Sequence, residues 1–404
     1  MKRAPRGPSQ RWTILSVALA VQTAASTVGA ALAVLLPFVK AEFHLTFAQA
    51  GLVANFSFIG GFLTLALAGL AVDSLGDRFV LVLGGMLSGI GAIAVSLAPN
   101  LWILLAVVLV MGAGVAMPTP AGSVAVRNAF PLRLRASVMS LRQTGIPLGA
   151  FCAALLLPPI AIAGGWRAAM VAAGAISVAV TGAGFAIYRN SGRPERGSGQ
   201  GRGFRNVMNR DSIIVATAGV LLVASQFSIL TYTVTFLVHD RRLTLTLAAA
   251  FLALAQLTGA GGRVLWGVVS DRLLGGSRRT ALILAAATGV VGSILLGSLP
   301  AATPLPVVGA SLLICTLGAV GWNGVQISFL SELARPGSEG RGVGLALMIQ
   351  QPGILAGPFL FGLVVDATGS FRAAWLLLAG FLAVAGAIMS AAHERPRDTD
   401  QLVA

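Results

Sequence analysis

The chain alternates long apolar stretches with short polar ones from end to end. A hydrocarbon layer about 30 Å thick is crossed by about 20 helical residues, so apolar runs of that length bounded by charges, Pro and Gly predict membrane-spanning helices. Twelve spans follow. In the first half they cover roughly residues 12–38, 47–72, 79–98, 101–126, 136–163 and 167–188. In the second half they cover roughly 212–238, 245–270, 279–299, 305–330, 343–367 and 372–392. The segment between the halves, YRNSGRPERGSGQGRGFRNVMNRD, is polar, Gly-rich and basic, and cannot bury a core. The expected architecture is an all-α membrane protein. A six-helix bundle over 1–188 is joined by a cytosolic linker, 189–211, to a second six-helix bundle over 212–404 with a short cytosolic tail.

Composition agrees with the pattern. Hydrophobic residues make up 56% of the chain and charged ones only 10%, where a soluble domain carries about 25% charge to keep its surface hydrated. The net charge of +15 would suit a nucleic-acid surface in a soluble protein, but its distribution excludes that use. Most of the 28 Lys and Arg fall in the termini, the linker and the loops on the same side, with Lys40, Arg167, Arg241, Arg242 and Arg372 opposite. By the positive-inside rule both termini and the linker face the cytoplasm, and the chain resides in the inner (plasma) membrane as a multi-pass protein. The basic start MKRAPRGPSQRW precedes an apolar stretch too long for a signal-peptide core, so it opens the first span. Cys152 and Cys315 lie in apolar stretches away from any His, which excludes a disulfide framework or a zinc site.

The halves also repeat each other. GLAVDSLGDR at 69–78 parallels GVVSDRLLGG at 267–276, and GWRAAM at 165–170 parallels SFRAAW at 370–375. Gln143, Gly145 and Gly149 line up with Gln351, Gly353 and Gly357 near the start of the fifth span of each half.

With these spans and paired loops the chain resembles the major facilitator superfamily, whose signature after the second helix is G-x-x-x-D-x-x-G-x-R. Here it is Gly69, Asp73, Gly76 and Arg78; the second copy keeps Gly267 and Asp271, continues with Arg272, and has its next glycine one residue late. The resemblance implies a cytoplasmic latch, formed in one conformational state and broken in the other, in which Asp73, Arg78 and Asp271 take part. Asp77 departs from the pattern, since many members are basic there. Proton-coupled drug exporters of the family carry an Arg in the fourth helix where this chain has Val108.

One charge stands inside a span. Arg263 lies eight residues before Asp271, hence about 12 Å deeper along the helix. A charged side chain at that depth costs about 2.5–3.5 kcal/mol on insertion scales and is a functional candidate by default. The spacing R-x-x-x-G-x-x-x-D resembles the oxalate/formate antiporter and monocarboxylate transporter branches, which implies an organic-anion substrate whose carboxylate meets this arginine. Guanidinium suits that role, because its planar fork pairs a carboxylate bidentately and does not lose its proton on burial. Arg142 is the second candidate, though it lies seven residues after Arg135 and has a shorter path to the cytoplasmic interface. Gln22, Asn55, Gln226, Tyr232, Asn323 and Gln326 are polar residues within spans that can complete a substrate site or join helices.

No Asp or Glu falls in the middle of any predicted span, and His44, His239 and His393 are loop or tail residues. Nothing in the chain suggests a catalytic constellation, a metal or another cofactor, or a phosphate-binding loop for ATP. The sequence therefore predicts a transporter rather than an enzyme. It would be a monomer in the lipid bilayer that moves a small organic anion by alternating access, with or without a co-moved proton or an exchanged anion. Export of hydrophobic or cationic drug-like compounds is the alternative.

Overall fold

The computed structural model describes residues 8–130, 138–139, 141–188, 208–300, 302–334 and 339–394; residues 189–207 of the expected linker lie outside them. Every regular element among the described residues is helical. In chain order these are α1 (Pro8–Val34), α2 (Leu36–Glu42), α3 (Phe47–Asn55), α4 (Ser57–Leu75), α5 (Asp77–Ser96), α6 (Leu101–Ala116), α7 (Pro118–Ala129) and α8 (Gly145–Ile187). There follow α9 (Arg210–His239), α10 (Leu245–Val268), a π-turn (Val269–Leu273), α11 (Arg278–Ser298), α12 (Leu305–Ala319), α13 (Asn323–Leu333), α14 (Glu339–Thr368) and α15 (Phe371–Ser390). Helices are the expected solution, since a segment in hydrocarbon has to satisfy its own backbone polar groups. Among the described residues, eleven stretches are long and apolar enough to cross a membrane.

Several predicted spans are broken where the chemistry demands it. Phe56 separates α3 from α4, and Met117 separates α6 from α7, which opens on Pro118 because proline has no N–H to continue the ladder of α6. Residues 320–322 separate α12 from α13. The 47-residue stretch Leu141–Ile187 is interrupted at Gly165, whose φ of 80° and ψ of 165° are not helical. Gly149 packs on Thr23 of α1 and Gly184 packs on Val17 of the same helix. A straight helix would hold these glycines about 50 Å apart, while Val17 and Thr23 are separated by about 9 Å. The chain therefore doubles back at Gly165, where a residue free to adopt positive φ is required.

The described chain divides into two compact units, Met1–Gln200 with Leu230–Gln256, and Gly201–Ile229 with Leu257–Ala404. In the first, α8 lies along α1 and α5, and α6 packs between α4 and α5. In the second, α11 lies against α12 and α15, and α14 packs on α13 and α15. Glycine sets the closest of these approaches: a Cβ on Gly112 would run into the Ser57 carbonyl, and one on Gly60 into that of Leu109. The same device recurs in the second unit, where Gly318 abuts the backbone of Gly289. Without a hydrophobic drive between helices in lipid, such backbone proximity is what gives dispersion its strength.

At one end of the first unit a polar clamp joins elements far apart in sequence. Arg167, just past the Gly165 reversal, donates from Nη2 to Glu42 Oε1 at 2.5 Å and from Nη1 to the Ser96 carbonyl at 2.5 Å. It also reaches the Ala98 carbonyl at 3.0 Å, and the Trp166 indole donates to Glu42 Oε2. Burial pushes the Glu42 carboxyl up, but the hydrogen bonds from Trp166 and Arg167 and the charge of Arg167 outweigh it and hold the group below the ordinary glutamate range. This clamp accounts for Arg167 in the GWRAAM repeat.

Two outcomes follow. Gly112→Val is expected to lower stability in detergent by about 1–3 kcal/mol through overpacking, whereas Gly267→Ala, whose added methyl meets nothing within 4 Å, leaves the melting midpoint unchanged. A carboxyl held below its unfolded value stabilises above that value and loses the contribution as pH falls through the folded one. Wild type and Glu42→Gln should accordingly differ in melting midpoint at pH 7 and converge as pH drops below about 4.

Candidate functional site

The two loop-motif copies occupy equivalent turns. Gly76, with φ 92°, ends α4 and opens α5, and Gly276, with φ 85°, stands before the Ser277 cap of α11. The second copy is longer between its aspartate and this glycine. The π-turn that carries Asp271 and Arg272 absorbs one extra residue, and Gly275, at φ 59°, absorbs another. As a result the base that stands where Arg78 stands is Arg278, the first residue of α11, and not Arg272.

Arg278 Nη1 pairs with Asp271 Oδ1 at 2.6 Å, and its Nε with Glu332 Oε1 at 3.1 Å. Nη1 also donates to Ser270 Oγ at 2.9 Å. Arg272 is exposed and makes no hydrogen bond or ion pair with any described residue, and open space surrounds Gly267. In the first copy Arg78 donates from Nη2 to the Phe185 carbonyl at 2.7 Å, and its guanidinium lies over the Phe185 ring at 4.1 Å. Neighbouring Asp77 is buried and accepts the hydroxyl of Tyr188. Gly69 and Asp73 sit in the last turns of α4, and the Asp73 side chain lies outside what is described. The signal for Arg278 was present in the sequence as the parallel between Gly76-Asp77-Arg78 and Gly276-Ser277-Arg278, which spacing counted from the aspartate conceals.

In the second unit, Arg263 is half-buried in α10. Its Nε is buried without an acceptor, and the guanidinium has no hydrogen bond or ion pair with any described residue. Its backbone is fixed by close packing. Gly262 abuts Leu317 and Gly321 at the break between α12 and α13, and one turn on, Trp266 Nε1 donates to the Leu317 carbonyl at 2.9 Å. Asn323, at the start of α13, donates to Gln226 Oε1 at 2.9 Å and to the Val320 carbonyl at 3.2 Å. Gln326 is fully buried, donates to the Val215 carbonyl at 3.2 Å and accepts from Gln350 at 3.1 Å. Gln350 is absent from the sequence-predicted set. The alignment of Gln143 with Gln351 locates it, because it puts Gln350 in register with Arg142.

In the first unit, Arg142 is 0% exposed, so it does not extend to the interface that its position suggests. Nη1 donates to Gln22 Oε1 at 3.3 Å and Nη2 to Gln143 Oε1 at 3.0 Å. Gln22 Oε1 also accepts the Thr119 hydroxyl at 3.1 Å, and Gln22 Nε2 donates to Ser26 Oγ at 3.2 Å. Asn55 and Tyr232 form a separate group. Asn55 Nδ2 donates to Thr231 Oγ1 at 2.8 Å and to the Gly51 carbonyl at 3.0 Å, while the Tyr232 hydroxyl donates to the Phe47 carbonyl.

Residues 17–358 match the family model described as Major Facilitator Superfamily. The chain is 28% identical over 385 residues to an uncharacterized MFS-type transporter of Mycobacterium tuberculosis, with 94% of this chain and 85% of that protein covered. It is 27% identical over 325 residues to monocarboxylate transporter 13 of Bos taurus, covering 79% and 74%. It is 24% identical over 387 residues to the hexuronate transporter of Bacillus subtilis, covering 91% and 90%. Among solved structures it is similar to a bacterial homolog of the human lysosomal transporter Spinster in an inward-facing, occupied conformation. The TM-score is 0.82 at 17% identity, with 96% of this chain and 97% of that chain covered, a likeness of fold.

Proposed function

Because the chain belongs to the Major Facilitator Superfamily, we propose that it carries a small organic anion across the membrane by alternating access, and that Arg263 recognises the anion's carboxylate. The carrying observation is the state of that guanidinium. It sits in an apolar helix, its Nε is buried, and no described residue compensates its charge. An arginine does not escape burial by losing its proton, so a site of this kind favours an anionic ligand and repels a cationic one. Carboxylate matches the planar fork better than a point anion does, because two parallel N–H···O bonds form. Monocarboxylates and hexuronates, named for two of the relatives, both present this group.

The remaining roles follow the same reading. Asn323, Gln226 and Gln326 supply neutral polar groups in the unit that holds Arg263 and discriminate among anions by shape. Gly76, Arg78 and Asp271, together with Gly69, Asp73, Gly267 and Arg272, serve the cytoplasmic switch, with Arg278 as the ionic centre of the second copy. Counting Leu141–Ile187 as two crossings that meet at Gly165 gives twelve spans, which puts both termini on the cytoplasmic side of the inner membrane.

A thermal-shift series on purified protein tests the anion reading. A ligand at 100 times its dissociation constant stabilises by about 2.7 kcal/mol. Mono- or dicarboxylates are expected to raise the melting midpoint of wild type, to fail with Arg263→Gln, and to act weakly with Arg263→Lys, which keeps the charge without the fork. Stabilisation by lipophilic cations alone, or an unchanged carboxylate response in Arg263→Gln, would sink it.

A further inference from the structure

The cluster around Arg142 differs from the one at Arg263: this guanidinium is buried completely, yet among the described residues it is bonded to neutral groups alone. Its two acceptors are the amide oxygens of Gln22 and Gln143. Its Nε is buried with no partner, and no described carboxylate lies within ion-pair distance. Buried charges are ordinarily paired, since an amide dipole repays only part of the desolvation. Two donors from different helices, Arg142 Nη1 and the Thr119 hydroxyl, converge on the single oxygen Gln22 Oε1 at 3.3 and 3.1 Å. A cationic and a neutral donor aimed at one point form the constellation that holds a small anion.

The oxygen at that point belongs to a side chain with rotatable bonds, held by hydrogen bonds alone. Gln22 is tethered otherwise only by Nε2 to Ser26 Oγ. The flanking positions are glycines: a Cβ on Gly145 would lie 3.1 Å from Gln22 Cγ, and one on Gly122 would lie 3.2 Å from Arg142 Nη1. The second unit has a neutral residue at the position that corresponds to Arg142. Gln350, in register with Arg142, donates to Gln326 Oε1 at 3.1 Å and leaves no charge to compensate.

We infer that Gln22 Oε1 is the stand-in for a small monovalent anion, a halide or a compact carboxylate, which Arg142 and Thr119 bind when the Gln22 side chain swings aside. The site lies wholly within the first unit and does not depend on what Arg263 recognises. Binding exchanges a neutral acceptor for an anionic one, so the anion stabilises this unit, and its release returns Arg142 to Gln22.

The test measures the melting midpoint of the purified full-length protein as sodium gluconate, whose anion is much bulkier than chloride or acetate, is replaced at constant ionic strength by sodium chloride or sodium acetate, with Arg263→Gln run in parallel to remove carboxylate binding at that arginine. Wild type and Arg263→Gln should show a saturable rise with at least one of the two. Arg142→Gln, which gives the first unit the residue type that stands in register in the second, should show none. Gln22→Glu provides a permanent carboxylate and should melt higher in gluconate than wild type while responding to neither anion. The proposal is overturned if wild type shows no response, if Arg142→Gln responds as wild type does, or if the response disappears in Arg263→Gln and survives in Arg142→Gln. Should Arg142→Gln fail to fold, Gln22→Glu decides alone: an undiminished anion response there rejects the site.

Discussion

A guanidinium in a helix that crosses hydrocarbon has to be compensated by something, because it neither deprotonates nor hydrates freely there. This chain carries two such groups and treats them differently. Arg142 is buried and bonded to two amide oxygens, while Arg263 has no acceptor among the described residues. The rest of the molecule can be understood as the scaffold that makes both states tolerable. Glycines bring helices to backbone distance, and at the helix break at 320–322 the Asn323 side chain supplies a donor to the Val320 carbonyl.

The loop motifs place charge at the ends of the candidate spans. In the second unit Arg278 bridges Asp271 and Glu332 from its position at the first turn of α11. In the first unit Arg78 spends its donors on the Phe185 carbonyl, and Asp77 is held by Tyr188. The same loop thus serves as an ion-pair centre in one repeat and as an anchor for the end of α8 in the other. Such asymmetry within a repeated framework lets two units with one architecture respond differently to a common perturbation.

The transmembrane character, the approximate spans and the internal repeat were legible in the sequence, because they depend on run length and residue type alone. The pairing of Gly145 and Gly149 with Gly353 and Gly357 was legible too: all four face α1 or its counterpart α9, Gly149, Gly353 and Gly357 against the backbone and Gly145 against the Gln22 and Leu19 side chains. What escaped depended on local geometry. A π-turn shifts register without leaving a composition signal, so Arg278 was hidden behind Arg272. The enclosure of Arg142 depends on Gln22, 120 residues away in sequence. Gln350 escaped although Gln22, Gln226 and Gln326 were singled out as amides within spans, and its register with Arg142 is what marks it.

The most direct measurement of the central claim is a structure of the purified protein with whichever carboxylate stabilises it most. The account predicts both carboxylate oxygens on the Arg263 guanidinium at about 2.7–2.9 Å, with the arginine otherwise unpaired. A ligand bound away from Arg263, with that guanidinium turned to a lipid phosphate or to a protein carboxylate, would contradict it.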